Sequence, residues 1–327
     1  MATIRDVAKE AGFSVATVSR VINDSGYAHE DTRKAVMLAV EKLNYKPNEV
    51  ARSLYKRKSK LVGLILPDIT NPFFPEMARG VEDYLQQYGY RLIFGNSDEK
   101  RSKEMEYIDT FLQNNVVGMI ASTSEIGNES FSNLEIPVVL LDRTVEGLPA
   151  VYSDQRAGGQ LAARILIDRG SKDIVLIRGP VEIKPVYDRY VAAMEELRLA
   201  KVKFHVVDSP LTIQGGQVCA QELFEKYPHA DGVIACNDIV AAAILQEILK
   251  REKRIPDDIQ LIGYDDIAFT ALLHPPLSTI RQPAYEMGKQ AAELLIKRIN
   301  QEVIEETHRK LPVTFVERLT TRKKAES

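Results

Sequence analysis

Apolar residues recur at helical spacing in three short stretches at the N-terminal end of the chain. Val7, Ala8 and Ala11 make one face behind Thr3, and Asp6 sits where a carboxylate favours the first-turn amides. Gly12 follows, a residue that takes the left-handed, helix-ending conformation at little cost. Ser14 then caps a second helix with Val18, Val21 and Ile22 inward. After Gly26, Ala35, Val36, Ala39, Val40 and Leu43 mark a third helix that Pro47 is expected to stop. Two short helices joined by a three-residue turn with glycine make a helix-turn-helix.

From Leu61 the pattern changes. Short apolar runs at Leu61–Leu66, Arg91–Phe94, Val117–Ala121, Val138–Leu141, Ile174–Ile177, Phe204–Val207, Gly232–Ala235 and Gln260–Ile262 read as strands. Amphipathic stretches near 74–88, 101–114, 155–169, 189–198, 215–227, 239–251 and 284–300 separate most of them. That alternation predicts an α/β core with parallel sheets, and the strands suit two lobes better than one sheet. Ligands of such sheets bind beyond the carboxyl ends of strands. Polar residues cluster there: Asn71 with Phe73 and Phe74, then Asp142 and Arg143, then Asn237, then Asp265 and Asp266. Arg189 is expected at the start of a helix after the fifth strand. Carboxylates, Asn and Arg serve adjacent sugar hydroxyls as donors and acceptors, and Phe73 and Phe74 can cover the apolar face of a sugar ring.

Charge divides the chain. The first 60 residues carry 12 Lys/Arg against 7 Asp/Glu, whereas the remainder carries 31 against 39, for a net charge of −3. A small basic unit on an acidic body suggests a DNA-reading module attached to something else. In a helix-turn-helix the N-terminal part of the second helix enters the major groove. Its outward residues are Val15, Ala16, Ser19 and Arg20. Arg20 can pair with guanine, and the methyls of Val15 and Ala16 suit thymine. Thr3, Ser14 and Thr17 are candidates for phosphate contacts.

With 45% hydrophobic and 27% charged residues the composition is that of a soluble globular protein. No apolar run approaches the ~18–20 residues of a membrane span, and Met1 to Gly12 lack a signal-peptide core, so a cytoplasmic protein is expected. Cys219 and Cys236 lie in apolar surroundings and read as buried hydrophobes rather than a disulfide or metal site. The five histidines are scattered without metal spacing, and no phosphate loop or nucleophile elbow is present. Neither a cofactor nor catalysis is expected; Asp265 and Asp266 read more simply as ligand contacts.

The stretch Thr3-Ile4-Arg5-Asp6-Val7-Ala8, Gly12, and Ser14 through Asn23 resembles the headpiece of the lactose-repressor family of bacterial regulators, as does Leu43-Asn44-Tyr45-Lys46-Pro47-Asn48. The resemblance implies DNA contacts also by Asn23, Tyr45, Asn48, Ala51, Leu54 and Lys58. Asn48 to Leu54 can form a helix too short to persist alone, and Lys56, Arg57, Lys58 and Lys60 repel one another in a free linker; DNA relieves both problems. By resemblance this is a hinge helix that orders on the operator, with Leu54 wedged into the minor groove. The core is similar to a periplasmic sugar-binding fold. Leu66 to Phe74, Arg91 to Asp98, Leu141 to Thr144 and Pro275 to Ile280 resemble the ribose-responsive members most.

That resemblance implies ribose contacts by Asn71, Phe73, Phe74, Asp142, Arg143, Arg189, Asn237, Asp265 and Gln282. It divides the chain into a DNA-binding domain at 1–47, a hinge at 48–59 and an effector core at 60–327. One lobe spans about 60–155 and 284–312, the other about 156–283 and 313–324. Two positions depart from the pattern: Leu211 stands where an aromatic lid is expected, and Ala192 replaces a glycine. The expectation is a homodimeric repressor of a ribose operon, released from a pseudo-palindromic operator by the sugar. Another sugar or a purine as effector, and co-repressor logic, stay open, and there is room for a phosphoprotein co-regulator. The tail after Thr320 has no leucine heptads, so no tetramerising coil is expected.

Overall fold

The computed structural model describes residues 2–45, 59–123, 131 and 133–324, which form two compact units, Met1–Ser59 and Lys60–Ser327. In the first, helices α1 (Ile4–Ala11), α2 (Val15–Ile22) and α3 (Glu30–Lys42) enclose Val7, Ala8, Val18, Val21, Val36 and Ala39. Thr3 and Asp6 form a reciprocal capping box, with Asp6 accepting from the Thr3 amide at 2.8 Å. Gly12 ends α1 at φ 74°, and the Ser14 hydroxyl accepts from the Thr17 amide at 3.1 Å to start α2. The third helix ends before Pro47. Asn44 turns left-handed at φ 42°, and the Tyr45 amide donates to the Val40 carbonyl at 2.9 Å. Local capping therefore stops α3 before proline has any part in it.

The second unit holds two six-stranded sheets. The first contains β1 (Leu61–Leu66), β2 (Arg91–Asn96), β3 (Gly118–Ala121), β4 (Val138–Leu141), β5 (Ala150–Ser153) and β11 (His308–Leu311), in the order β11-β5-β4-β3-β1-β2 and parallel throughout. The second contains β6 (Asp173–Arg178), β7 (Lys203–Asp208), β8 (Gly232–Ile234), β9 (Gln260–Asp265), β10 (Ser278–Arg281) and β12 (Thr314–Val316), in the order β12-β10-β9-β8-β6-β7. Only its edge pair, β10 and β12, is antiparallel.

Helices α4 (Phe73–Gln87) and α5 (Arg101–Gln113) belong to the first lobe. Helices α6 (Gln155–Asp168), α7 (Lys184–Leu199), α8 (Ile213–Lys226) and α9 (Asp238–Lys250) belong to the second, and α10 (Ala284–Ile299) returns to pack on α4. The interior strands β1 and β4 are apolar along their whole length, and β6 is apolar between its polar ends Asp173 and Arg178, as parallel strands covered on both faces must be. The chain passes between lobes three times, from β5 to α6, from β10 to α10 and from β11 to β12. Four strands beyond the expected eight, β5, β10, β11 and β12, flank these crossings. No helix among the described residues is long and apolar enough to cross a membrane.

Candidate functional site

On the headpiece, Val15, Ala16 and Arg20 are exposed on α2, and Ser19 is partly exposed beside them. Three candidate phosphate contacts also maintain the helix ends. Thr3 is held by Asp6, while the Ser14 and Thr17 hydroxyls lie 2.9 Å apart. Asn23 is half-buried and donates to the Ser19 carbonyl at 2.8 Å and to its hydroxyl at 3.1 Å. Tyr45 is half-buried against the headpiece core. Asn48, Ala51, Leu54 and Lys58 lie outside the described residues.

In the core, a cavity of about 470 Å³ opens between the lobes. Asn71, Phe73, Phe74, Asp142, Arg143, Arg189, Asn237 and Asp265 all line it. Gln282 stands one layer behind, its Nε2 donating to Asp265 Oδ1 at 2.7 Å. Each side chain is set by the element that carries it. Asn71 Oδ1 accepts from the Phe73 amide at 3.1 Å where α4 begins, and the Phe73 and Phe74 rings meet edge-on with centroids 5.3 Å apart. Asp142 follows β4 with a left-handed backbone, φ 68°. Asn237 Oδ1 caps α9 by accepting from the Val240 amide at 2.9 Å.

Arg189 lies in the second turn of α7, not at its start, because Pro185 fits the first turn and lets the helix begin at Lys184. Its Nη1 donates to the Cys236 carbonyl at 3.0 Å and lies 3.6 Å from Asp265 Oδ1. The guanidinium stacks on the Tyr264 ring, 3.9 Å from the centroid.

Two buried polar atoms at this cavity have no partner, Asp142 Oδ1 and Arg143 Nε. One is an acceptor and one a donor, on adjacent residues, and unpaired buried groups of this kind are costly unless a ligand meets them. The rest of the Arg143 guanidinium is committed to both carboxylate oxygens of Glu99 and to the Thr123 carbonyl. Burial raises the Asp142 carboxyl, opposed by Arg143 and then Arg189. Burial likewise pushes Asp265 up to about 6, against the pull of Arg189 and the Gln282 hydrogen bond. Asp238, deeper still, is raised well above the usual carboxylate range by burial and by Asp265. It accepts from Thr279 Oγ1 at 2.6 Å and from the Ile267 amide at 2.9 Å, and so braces the segment that carries Asp265.

Five acidic side chains line the cavity, Asp68, Asp98, Glu99, Asp142 and Asp265, against the two arginines. Both arginines already face carboxylates. The arrangement offers hydroxyl-sized acceptors and donors and no uncommitted cation among its described lining residues, which favours a neutral polyhydroxylated ligand over a phosphorylated one.

Among the lining residues, Ile183 and Val186 carry no signal in the sequence, whereas Leu211 stands at the expected lid position. Ile183, Val186 and Leu211 supply the apolar wall of the second lobe, with Leu211 packed against that lobe's core. Asp266 departs from the expected pairing with Asp265: it meets Arg281 at 2.6 Å and Arg318, and it is absent from the cavity lining. Cys219 and Cys236 are buried free thiols, each pushed up to about 12 by burial.

Residues 3–48 match the lacI family of bacterial regulatory proteins, and residues 145–321 match the periplasmic binding protein-like domain. The chain is 57% identical to the ribose operon repressor of Bacillus subtilis (strain 168) over 324 residues, 99% of each chain. It is 42% identical to the ribose operon repressor of Halalkalibacterium halodurans over 98% of each. A solved structure of a LacI family regulator from Enterococcus faecium with bound ribose matches 80% of this chain and 98% of its own, with a TM-score of 0.73 and 32% identity. With a helix-turn-helix that matches the family along nearly its whole length, and relatives of this identity that are repressors, the chain belongs to the lacI family of bacterial transcription regulators and is not an enzyme.

Proposed function

We propose that the protein represses a ribose uptake and utilisation operon from the cytoplasm, binding a pseudo-palindromic operator as a homodimer and leaving it when ribose enters the interlobe cavity. The observation that carries the effector assignment is the pair of unpartnered buried atoms, Asp142 Oδ1 and Arg143 Nε, on residues that line the cavity together with Phe73 and Phe74. A pentose supplies both hydroxyls and an apolar ring face. The identity to ribose operon repressors and the ribose-bound Enterococcus neighbour support the same reading. A purine fits less well: Phe73 and Phe74 are the only aromatic residues in the described lining, both on one wall, and Leu211 offers no ring opposite them.

The headpiece at 1–47 reads bases through Val15, Ala16, Ser19 and Arg20. The segment 48–59 serves as a hinge, with Leu54 as the wedge. Sugar held by Asp142 and Arg143 from one lobe and by Arg189 and Asp265 from the other favours one lobe arrangement by its differential affinity for it. Hinge segments too short to be helical alone lose their mates when the lobes shift. Ribose should weaken operator binding by about 1–3 kcal/mol. Fluorescence anisotropy on labelled operator, titrated with ribose and separately with ribose 5-phosphate, tests this. Release by ribose alone is expected; release by neither compound contradicts the effector assignment.

A further inference from the structure

From Asp265 in the cavity lining a chain of buried side chains runs into the protein. Gln155 Nε2 donates to Ser153 Oγ at 2.9 Å and to Gln282 Oε1 at 2.7 Å. Ser153 Oγ also donates to Gln282 Oε1. Gln282 Nε2 then donates to Asp265 Oδ1 at 2.7 Å. All four residues are buried. The elements they sit on give the chain its interest. Ser153 ends β5 and Gln155 opens α6, so both belong to the first passage between lobes. Gln282 lies in the second passage, between β10 and α10. Asp154, between Ser153 and Gln155, meets Lys310 of β11 at 2.7 Å, next to the third.

We propose that Gln155 is a positioning residue for the effector cavity: together with Ser153 it fixes the amide of Gln282 with its NH₂ toward Asp265, and it thereby couples the hydrogen bonding of that carboxylate to the strands that join the lobes. The inference rests on reading the cavity as the sugar site. An amide is planar, and its oxygen and NH₂ point opposite ways. Two donors held on Gln282 Oε1 leave the NH₂ no choice but Asp265. The reversed amide would set oxygen against oxygen, tolerable only with a proton on Asp265. The direction of the chain and the charge of Asp265 are therefore linked.

The other groups around Asp265 make this donor matter. Arg189 of α7 attracts the carboxylate, but Asp142 after β4 and Asp238 of α9 repel its charge, and the Tyr264 hydroxyl and Cys236 thiol bring no positive charge. At the other end Gln155 Oε1 is buried without a partner, so no further group anchors the chain beyond Gln155. A lobe movement that parts the first passage from the second must break the Gln155–Gln282 bond.

The test compares the full-length protein with its Gln155→Glu and Gln155→Met variants, with thermal melting to establish that each folds. Ribose is titrated calorimetrically from pH 5 to pH 8, and the Asp265 carboxyl is followed by carbon NMR without ribose. A carboxylate at 155 cannot donate to Gln282 Oε1, so the amide reverses and Asp265 holds its proton longer. The expected result for Gln155→Glu is an upward move of about one pH unit in the Asp265 titration, and of the pH below which ribose affinity falls, with binding about fivefold weaker at the original midpoint and about tenfold weaker well below it. Gln155→Met, which removes one donor from Gln282 Oε1 without setting a carboxylate against it, should shift the titration less. An unmoved Asp265 titration overturns the proposal, as does an affinity lowered by the same factor at every pH, the mark of a merely structural lesion. Failure of the unmodified protein to bind ribose counts instead against the effector assignment, and the NMR titration still decides the relay.

Discussion

Arg20 and Asp265 show how two residues are given their work by surroundings of opposite kind. Arg20 is exposed on α2 with its side chain lying along Gly26, whose absent Cβ would sit 3.3 Å from Arg20 Cδ. A guanidinium free in water retains its donors for a base edge. Arg20→Ala should cost about 1–3 kcal/mol per half-site and relax preference at one base pair. Equal losses on operator and random DNA in a binding titration would refute a base-reading role. Ser14 has a structural task alongside any phosphate contact, so Ser14→Ala should also destabilise the headpiece by about 1 kcal/mol in a melting experiment.

Asp265 is buried, and its carboxyl is raised from 3.8 to about 6. Its ionised form is penalised in the folded state. This group therefore favours folding fully below the unfolded value, and that contribution is lost as pH rises through about 6. Ribose works in the other direction. On the proposed reading a sugar hydroxyl donates to the ionised carboxylate, so ribose affinity should fall as pH drops through about 6. Calorimetry at pH 7.5 and pH 5 checks the sign, and tighter binding at pH 5 contradicts it.

At the scale of elements, the site depends on how closely α6 approaches α7. A Cβ on Gly159 would stand 2.0 Å from the Arg189 carbonyl oxygen, so only glycine allows this contact. Gly159→Ala should push the helices apart, lower the stability of the core by about 1–3 kcal/mol and weaken ribose binding through the displaced Arg189. An alanine variant with unchanged melting and ribose affinity would show that the contact has slack. The long apolar strands and amphipathic helices were legible because burial on both faces imposes their pattern. The four short strands at the lobe crossings were not. His308 to Leu311 at a sheet edge is largely polar, and Ser278 and Thr279 of β10 are buried through side-chain hydrogen bonds that leave no hydrophobic trace.

The same division runs through the site. Asp142, Arg143, Asn237 and Asp265 could be picked out because polar residues just beyond apolar strands are conspicuous. Ile183 and Val186 look like any helix-facing aliphatic, and Ser153 and Gln155 look like an ordinary helix start. Their importance comes from contacts with Gln282, 127 and 129 positions away in the chain.

Across the whole molecule, a basic unit of about sixty residues is joined to an acidic core that contains the interlobe cavity. Sugar and DNA thus meet separate units, and they can influence one another only through a shared conformational equilibrium. Arg189→Ala should leave operator binding intact while abolishing the ribose response, because the residue lines the cavity of the core unit. The reciprocal effect is the firmest consequence: whatever factor ribose takes from operator affinity, operator must take from ribose affinity. Calorimetry of ribose with free protein and with protein saturated by operator measures it directly. The account predicts ribose affinity weaker on the operator-bound protein by the same factor, on the order of 5- to 150-fold. Identical ribose affinities in the two states would contradict it.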